Sequence, residues 1–123
     1  MTVQECYEKM GGDFSDVVKR LMTESLVKRF VVKFLKDDSY QNLCEGMKAE
    51  NREEAFRAAH TLKGVCQNLG LKRLSIPTEE LTELLRGGAG EIPQGANLLL
   101  EKVTQAYQET IEAIQEFADS EGM

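Results

Sequence analysis

Apolar residues recur along this chain at steps of three and four, with polar residues between them, the spacing of amphipathic helices. Thr2 is placed to cap a short helix over 3–10, closed by Gly11-Gly12. Asp13 caps a second, from Phe14 to about Leu21. Thr23 restarts the chain, and Leu26, Val27, Phe30, Val31, Phe34 and Leu35 give a wide apolar face opposite Lys28, Arg29, Lys33 and Lys36. Asp37-Asp38-Ser39 interrupts the run. The stripe Tyr40, Leu43, Cys44, Met47 then predicts a helix to about Ala49. Segments 24–37 and 40–49 read either as two helices or as one long bent helix.

Asn51 and Glu54 resemble a capping box and open a helix over about 52–69, with Gly70 as its stop. Leu71 to Arg86 is helical again. Ser75 is its candidate cap, Pro77 falls in the first turn, and Gly87-Gly88 end it. The last helix, about 94–118, carries Leu99, Leu100, Val103, Ala106, Tyr107, Ile111, Ile114 and Phe117, and the tail from Asp119 is expected to be loose. No alternating strand pattern competes. Short connections between amphipathic helices favour antiparallel neighbours. The fold predicted is all-α: an antiparallel four-helix bundle with short extra N-terminal helices, one domain over 1–123 with its core at about 13–118.

The central helix carries the chemistry. Its stripe is Ala55, Ala59, Leu62, Cys66 and Leu69. At about 100° per residue, this stripe lies roughly 180–260° from His60, the only histidine, which therefore points away from the core. Lys63, Gly64 and Gln67 fall within about 60° of it, and Phe56 lies one turn earlier on the same side. A glycine inside a helix costs about 1 kcal/mol relative to alanine. Here it removes a side chain that would screen the imidazole. Lys63 repels a proton on the ring but pairs with an anion on it. The face suits a neutral imidazole that is approached closely and carries negative charge.

These residues carry a resemblance. Ala59-His60-x-Leu62-Lys63-Gly64-x-x-x-x-Leu69-Gly70 resembles the signature of histidine-containing phosphotransfer (Hpt) domains, the phosphohistidine carriers of phosphorelays. The resemblance implies that His60 is the phosphoacceptor, attacking an aspartyl phosphate through Nε2 and passing the phosphoryl group to another aspartate. Lys63, Gly64 and Gln67 would stabilise or admit that group. Family members place a Gln or Glu on the next helix to orient the imidazole. The corresponding position here is Thr82, with Glu79 and Glu83 nearby, a departure from the pattern. Phe56 and Arg57 are candidate docking contacts. The implied partners are response-regulator receiver domains and hybrid sensor histidine kinases. A helical module that binds receivers without transfer is the competing reading.

Composition narrows the rest. The net charge of −6 argues against nucleic acid. It is uneven: residues 1–73 hold 13 Lys/Arg against 11 Asp/Glu, and residues 74–123 hold 2 against 10. No run of about 18 apolar residues suggests a membrane span, and the N-terminus lacks a secretory pattern, so a cytoplasmic protein is expected. Cys6, Cys44 and Cys66 are odd in number, without CxxC spacing, and read as reduced thiols. No metal or cofactor is expected. With neither a P-loop nor a kinase-type Gly-rich loop, autokinase activity and independent turnover are not expected either. A monomer is the expected state.

Overall fold

The computed structural model describes residues 1–87 and 89–123. Helices α1 (Val3–Met10), α2 (Phe14–Leu21) and α3 (Glu24–Lys33) lead through a 3-10 turn (Phe34–Lys36) into α4 (Ser39–Lys48), α5 (Arg52–Asn68), α6 (Lys72–Leu85) and α7 (Ala96–Glu121). No strand occurs among the described residues. Helices α4 to α7 pack each against the next in an antiparallel bundle. Tyr40 of α4 closes it onto α7: its ring stacks 4.0 Å from Tyr107, and its hydroxyl donates to Thr104 Oγ1 at 2.8 Å. No helix among the described residues is long and apolar enough to cross a membrane.

The caps explain most boundaries. Thr2, Asp13, Thr23 and Asn51 each accept a backbone N–H three residues on, satisfying donors that a helix start leaves free. The box at Asn51 is only half formed. The Asn51 N–H already donates to Gly46 O at 2.9 Å, and the Glu54 carboxylate turns to Arg57. Helices α3 and α4 are separate rather than one bent rod, because Asp37 is extended (ψ 132°) and its Oδ1 accepts the Ser39 N–H.

Two other boundaries differ from the expectation. Helix α6 begins at Lys72, a turn before Ser75. The Ser75 N–H already donates to Leu71 O at 2.8 Å, so Ser75 lies inside the helix rather than capping it. Pro77 therefore sits in the second turn and removes one backbone bond there. Helix α7 runs to Glu121, not 118. Phe117 and Ala118 are buried, Lys28 pairs with Glu121 at 3.0 Å, and the chain stops only at Gly122 with φ 73°. The predicted stop after α6 is met at Gly87 (φ 117°); Gly88 lies outside the described residues.

Arg52, the first residue of α5, holds the far end of α6. Its guanidinium donates to Leu85 O at 3.0 Å and Arg86 O at 2.7 Å, with longer contacts to Leu84, Ala89 and Glu91 carbonyls. A cation thus satisfies carbonyls that a helix end leaves unpaired. At the other end of α5, the Tyr7 hydroxyl donates to Leu69 O at 2.7 Å, and the Asp13 N–H donates to Gly70 O at 2.8 Å. A Cβ on Gly12 would stand 2.6 Å from the Tyr7 ring. The α1–α2 turn is thereby locked over the α5–α6 turn.

Two tests follow from this packing. A Cβ on Gly46 would lie 2.7 Å from Ala55 N and 2.9 Å from its Cα, so α4 and α5 touch backbone to backbone. Gly46→Ala gains about 1 kcal/mol of helix propensity. Forcing the helices apart costs about 1–3 kcal/mol. A lowered urea midpoint is expected, and an unchanged or raised one would show that the contact yields freely. The second test is alkaline. Burial pushes the Cys6 thiol from the ordinary 9.0 up to about 11, and pushes Cys66 and Tyr7 upward as well. Above pH 9 the unfolded chain loses protons that the fold retains. Stability is therefore complete below pH 9 and falls as pH rises from 9 to 11. Denaturation midpoints measured across that window check the slope, which Cys6→Ala should reduce while Cys66 and Tyr7 maintain the remainder.

Candidate functional site

Helix α5 orients the site by burying its stripe. Ala55, Ala59, Leu62 and Cys66 are fully enclosed, and Leu69 nearly so. The opposite side of the helix must then face water, and His60, Gly64 and Gln67 are exposed there. A Cβ built on Gly64 meets nothing within 4 Å. Close helix packing, which explains Gly46, does not explain this glycine. It leaves open backbone one turn from the imidazole.

Lys63 is half-buried on the side of α5 that faces α6. Across that seam stand Glu83 and Arg86. Arg86 donates to both Glu83 carboxylate oxygens, at 2.8 and 3.0 Å. These hydrogen bonds hold the Glu83 carboxyl below the usual carboxylate range, and the charges of Arg86, Lys63 and His60 add to the effect. Phe56 lies beside the histidine with its ring nearly parallel: centroids 5.9 Å apart, planes inclined by 20°. The Arg86 guanidinium carbon sits 5.2 Å from the Phe56 centroid. The site is therefore a row across two helices: His60, Phe56, Arg86, Glu83, with Lys63 alongside.

The sequence-derived candidates divide against this geometry. Thr82 does not belong to the site. It is fully buried, and its hydroxyl donates to Thr78 O at 2.7 Å, so it serves the inner face of α6. Glu79 is exposed one turn before Glu83. Gln67 is a rim position. It lies seven residues beyond His60, about 10 Å along the axis, beside a groove with Asp16, Arg20 and Lys72. Arg57 is exposed, and its guanidinium is committed to Glu53 at 2.6 Å and Glu54 at 3.0 Å. Two contributors were not anticipated, Arg86 and Arg52. The Glu83/Arg86 spacing of three residues on one helix was the available signal for the first.

No hydrogen bond holds the imidazole among the described residues. The groove between α4 and α5, about 370 Å³, is lined by Asn42, Glu45, Arg57 and Thr61 among others but not by His60. Enzymes acting on small molecules place their reacting group in a concavity. An imidazole on an open helix face is instead within reach of a second macromolecule.

A family model described as Hpt domain matches residues 36–118. No curated protein and no solved structure matches the chain. The chain belongs to the Hpt domain family, the histidine phosphotransfer modules of two-component signalling. The matched span takes in α4, α5, α6 and all but the last turn of α7, and leaves α1, α2 and α3 outside it.

The open surroundings of Gly64 give a direct check. Gly64→Ala introduces no clash and gains helix propensity, so stability should rise by about 0.5–1 kcal/mol. A loss on chemical denaturation would mean that Gly64 is packed.

Proposed function

We propose that this protein is a phosphorelay carrier in which His60 receives a phosphoryl group from a receiver-domain aspartate and returns it to another. The observation that carries the reading is the exposed imidazole beside a glycine with nothing around it and a lysine one turn away. In the transfer, Nε2 of the neutral ring attacks phosphorus in line. The N–P bond forms as the P–O bond to the aspartate breaks, and the carboxylate leaves with the bonding pair. The reverse displacement regenerates His60 when a second receiver presents its aspartate. Nothing is consumed, so the protein has no turnover of its own.

Lys63 supplies the charge for this step. One turn along the same helix, its ammonium pairs with the phosphoryl oxygens as they arrive. Gly64 admits the receiver's aspartyl phosphate. Arg57 and Gln67 border the same face and are the positions a docked receiver would meet. The partners in this reading are the receiver domains of response regulators and of hybrid sensor kinases, in the cytoplasm, each met by a single copy of this chain.

The test uses receiver domains carrying radiolabelled phosphate. The protein should acquire an acid-labile, base-stable label, and His60→Gln should acquire none while still binding the receiver. Gly64→Ala, with its fold intact, should take up label about tenfold more slowly or worse, since a small misplacement of reacting groups is costly. If His60→Gln is labelled like the unmodified protein, the carrier site lies elsewhere. Release of inorganic phosphate with no labelled intermediate would instead indicate a phosphatase.

A further inference from the structure

An imidazole that must meet phosphorus in line needs a fixed ring plane. Hydrogen bonding from α6 does not provide it here, since Thr82 is turned into the core with its proton on Thr78 O. Phe56 stacks beside the ring instead, parallel to within 20° and 5.9 Å away by centroids. Phe56 is itself half-buried and held from the far helix, because Arg86 lies over its ring at 5.2 Å. Arg86 is fixed at both ends. Glu83 binds its guanidinium by two hydrogen bonds, and Arg52 binds its carbonyl at 2.7 Å.

We infer that Phe56 is the positioning residue of His60, an aromatic plate that sets the imidazole plane, with Arg86 as its retainer. This rests on the reading of His60 as phosphoacceptor. Stacking has a specific advantage over a hydrogen bond from the side. Offset aromatic faces restrain tilt. Both ring nitrogens lie in the ring plane, and their lone pair and N–H are left unengaged. The nucleophilic nitrogen therefore stays available to the partner. Phe56 does not touch the phosphoryl group and acts only through His60.

The experiment compares Phe56→Leu, Phe56→Tyr and Arg86→Gln with the unmodified protein. As His60 is the only histidine, its imidazole signals are read without ambiguity. Three-bond couplings across its Cβ–Cγ bond (Hβ to Cδ2 and to Nδ1), which report the ring plane, measured without any partner, should show one rotamer in the unmodified protein and in Phe56→Tyr. In Phe56→Leu they should average, and in Arg86→Gln partly so. With labelled receiver, Phe56→Leu should lower the maximal transfer rate about fivefold, the scale of a lost aromatic pair. Half-saturation should stay within about twofold of the unmodified value. Phe56→Tyr should restore the rate.

A rise in half-saturation with an unchanged maximal rate would make Phe56 a docking contact and overturn the proposal. So would a single fixed rotamer in Phe56→Leu. If Phe56→Leu loses its fold, Arg86→Gln decides by the same two readouts. If the unmodified protein takes no label while its couplings respond to Phe56 as expected, the stack stands as a structural fact and the carrier reading is what fails.

Discussion

The direction in which His60 points is a consequence of what lies behind it. Helix α5 buries a seam of small and medium residues, Ala55, Ala59, Leu62 and Cys66, without exposing any of them. A helix with a 3.6-residue repeat cannot enclose that seam and also enclose residue 60. Burying even one such side chain contributes about 1.5–3 kcal/mol for a leucine. Rotating α5 to hide the imidazole would forfeit several of these at once. The exposure of the histidine is therefore maintained by the core and not by anything around the ring.

The same helix is fixed along its length. Gly46 lets the α4 backbone lie directly on Ala55 near its start. Arg52 ties its first turn to the end of α6. At its far end Gly70, with φ 66°, turns the chain sharply, and its carbonyl accepts the Asp13 N–H. A Cβ there would stand 2.9 Å from Asp13 O. The short N-terminal helices, which lie outside the family match, thus brace the module that lies inside it. Two glycines of the bundle serve opposite ends. Gly46 makes room for the protein's own backbone, and Gly64 leaves room that the protein does not use.

Much of this was legible in the sequence because it depends on local chemistry. The caps Thr2, Asp13, Thr23 and Asn51, the stripe of α5 and the glycine at 70 each declare themselves within a few residues. The start of α6 was misread because a serine before a proline looks like a cap. Whether it caps depends on the turn before it, where the Gly70 conformation allowed the helix to begin at Lys72. The end of α7 was misread because its support, Lys28, is 93 residues away. Thr82 was placed by counting from a motif, and counting does not show which way a side chain faces once Pro77 sits inside the helix. Arg86 and Arg52 act between helices, on carbonyls and rings distant in sequence.

The charges beside His60 also become intelligible only in three dimensions. In the proposed role of His60, a phosphoryl group would bring nearly two negative charges to the ring. Glu83, within electrostatic range of both His60 and Lys63, would on its own oppose that arrival. The two hydrogen bonds it accepts from Arg86 answer the difficulty by pairing the carboxylate with a cation on a residue whose backbone carbonyl Arg52 binds. Among the described residues, the ammonium of Lys63 then makes no ion pair. Exposed ion pairs add little to stability, so the Glu83–Arg86 pair is better understood through what it does to the local field. It neutralises an acid at the edge of the site and, through the same guanidinium, holds the aromatic ring that stacks on the histidine.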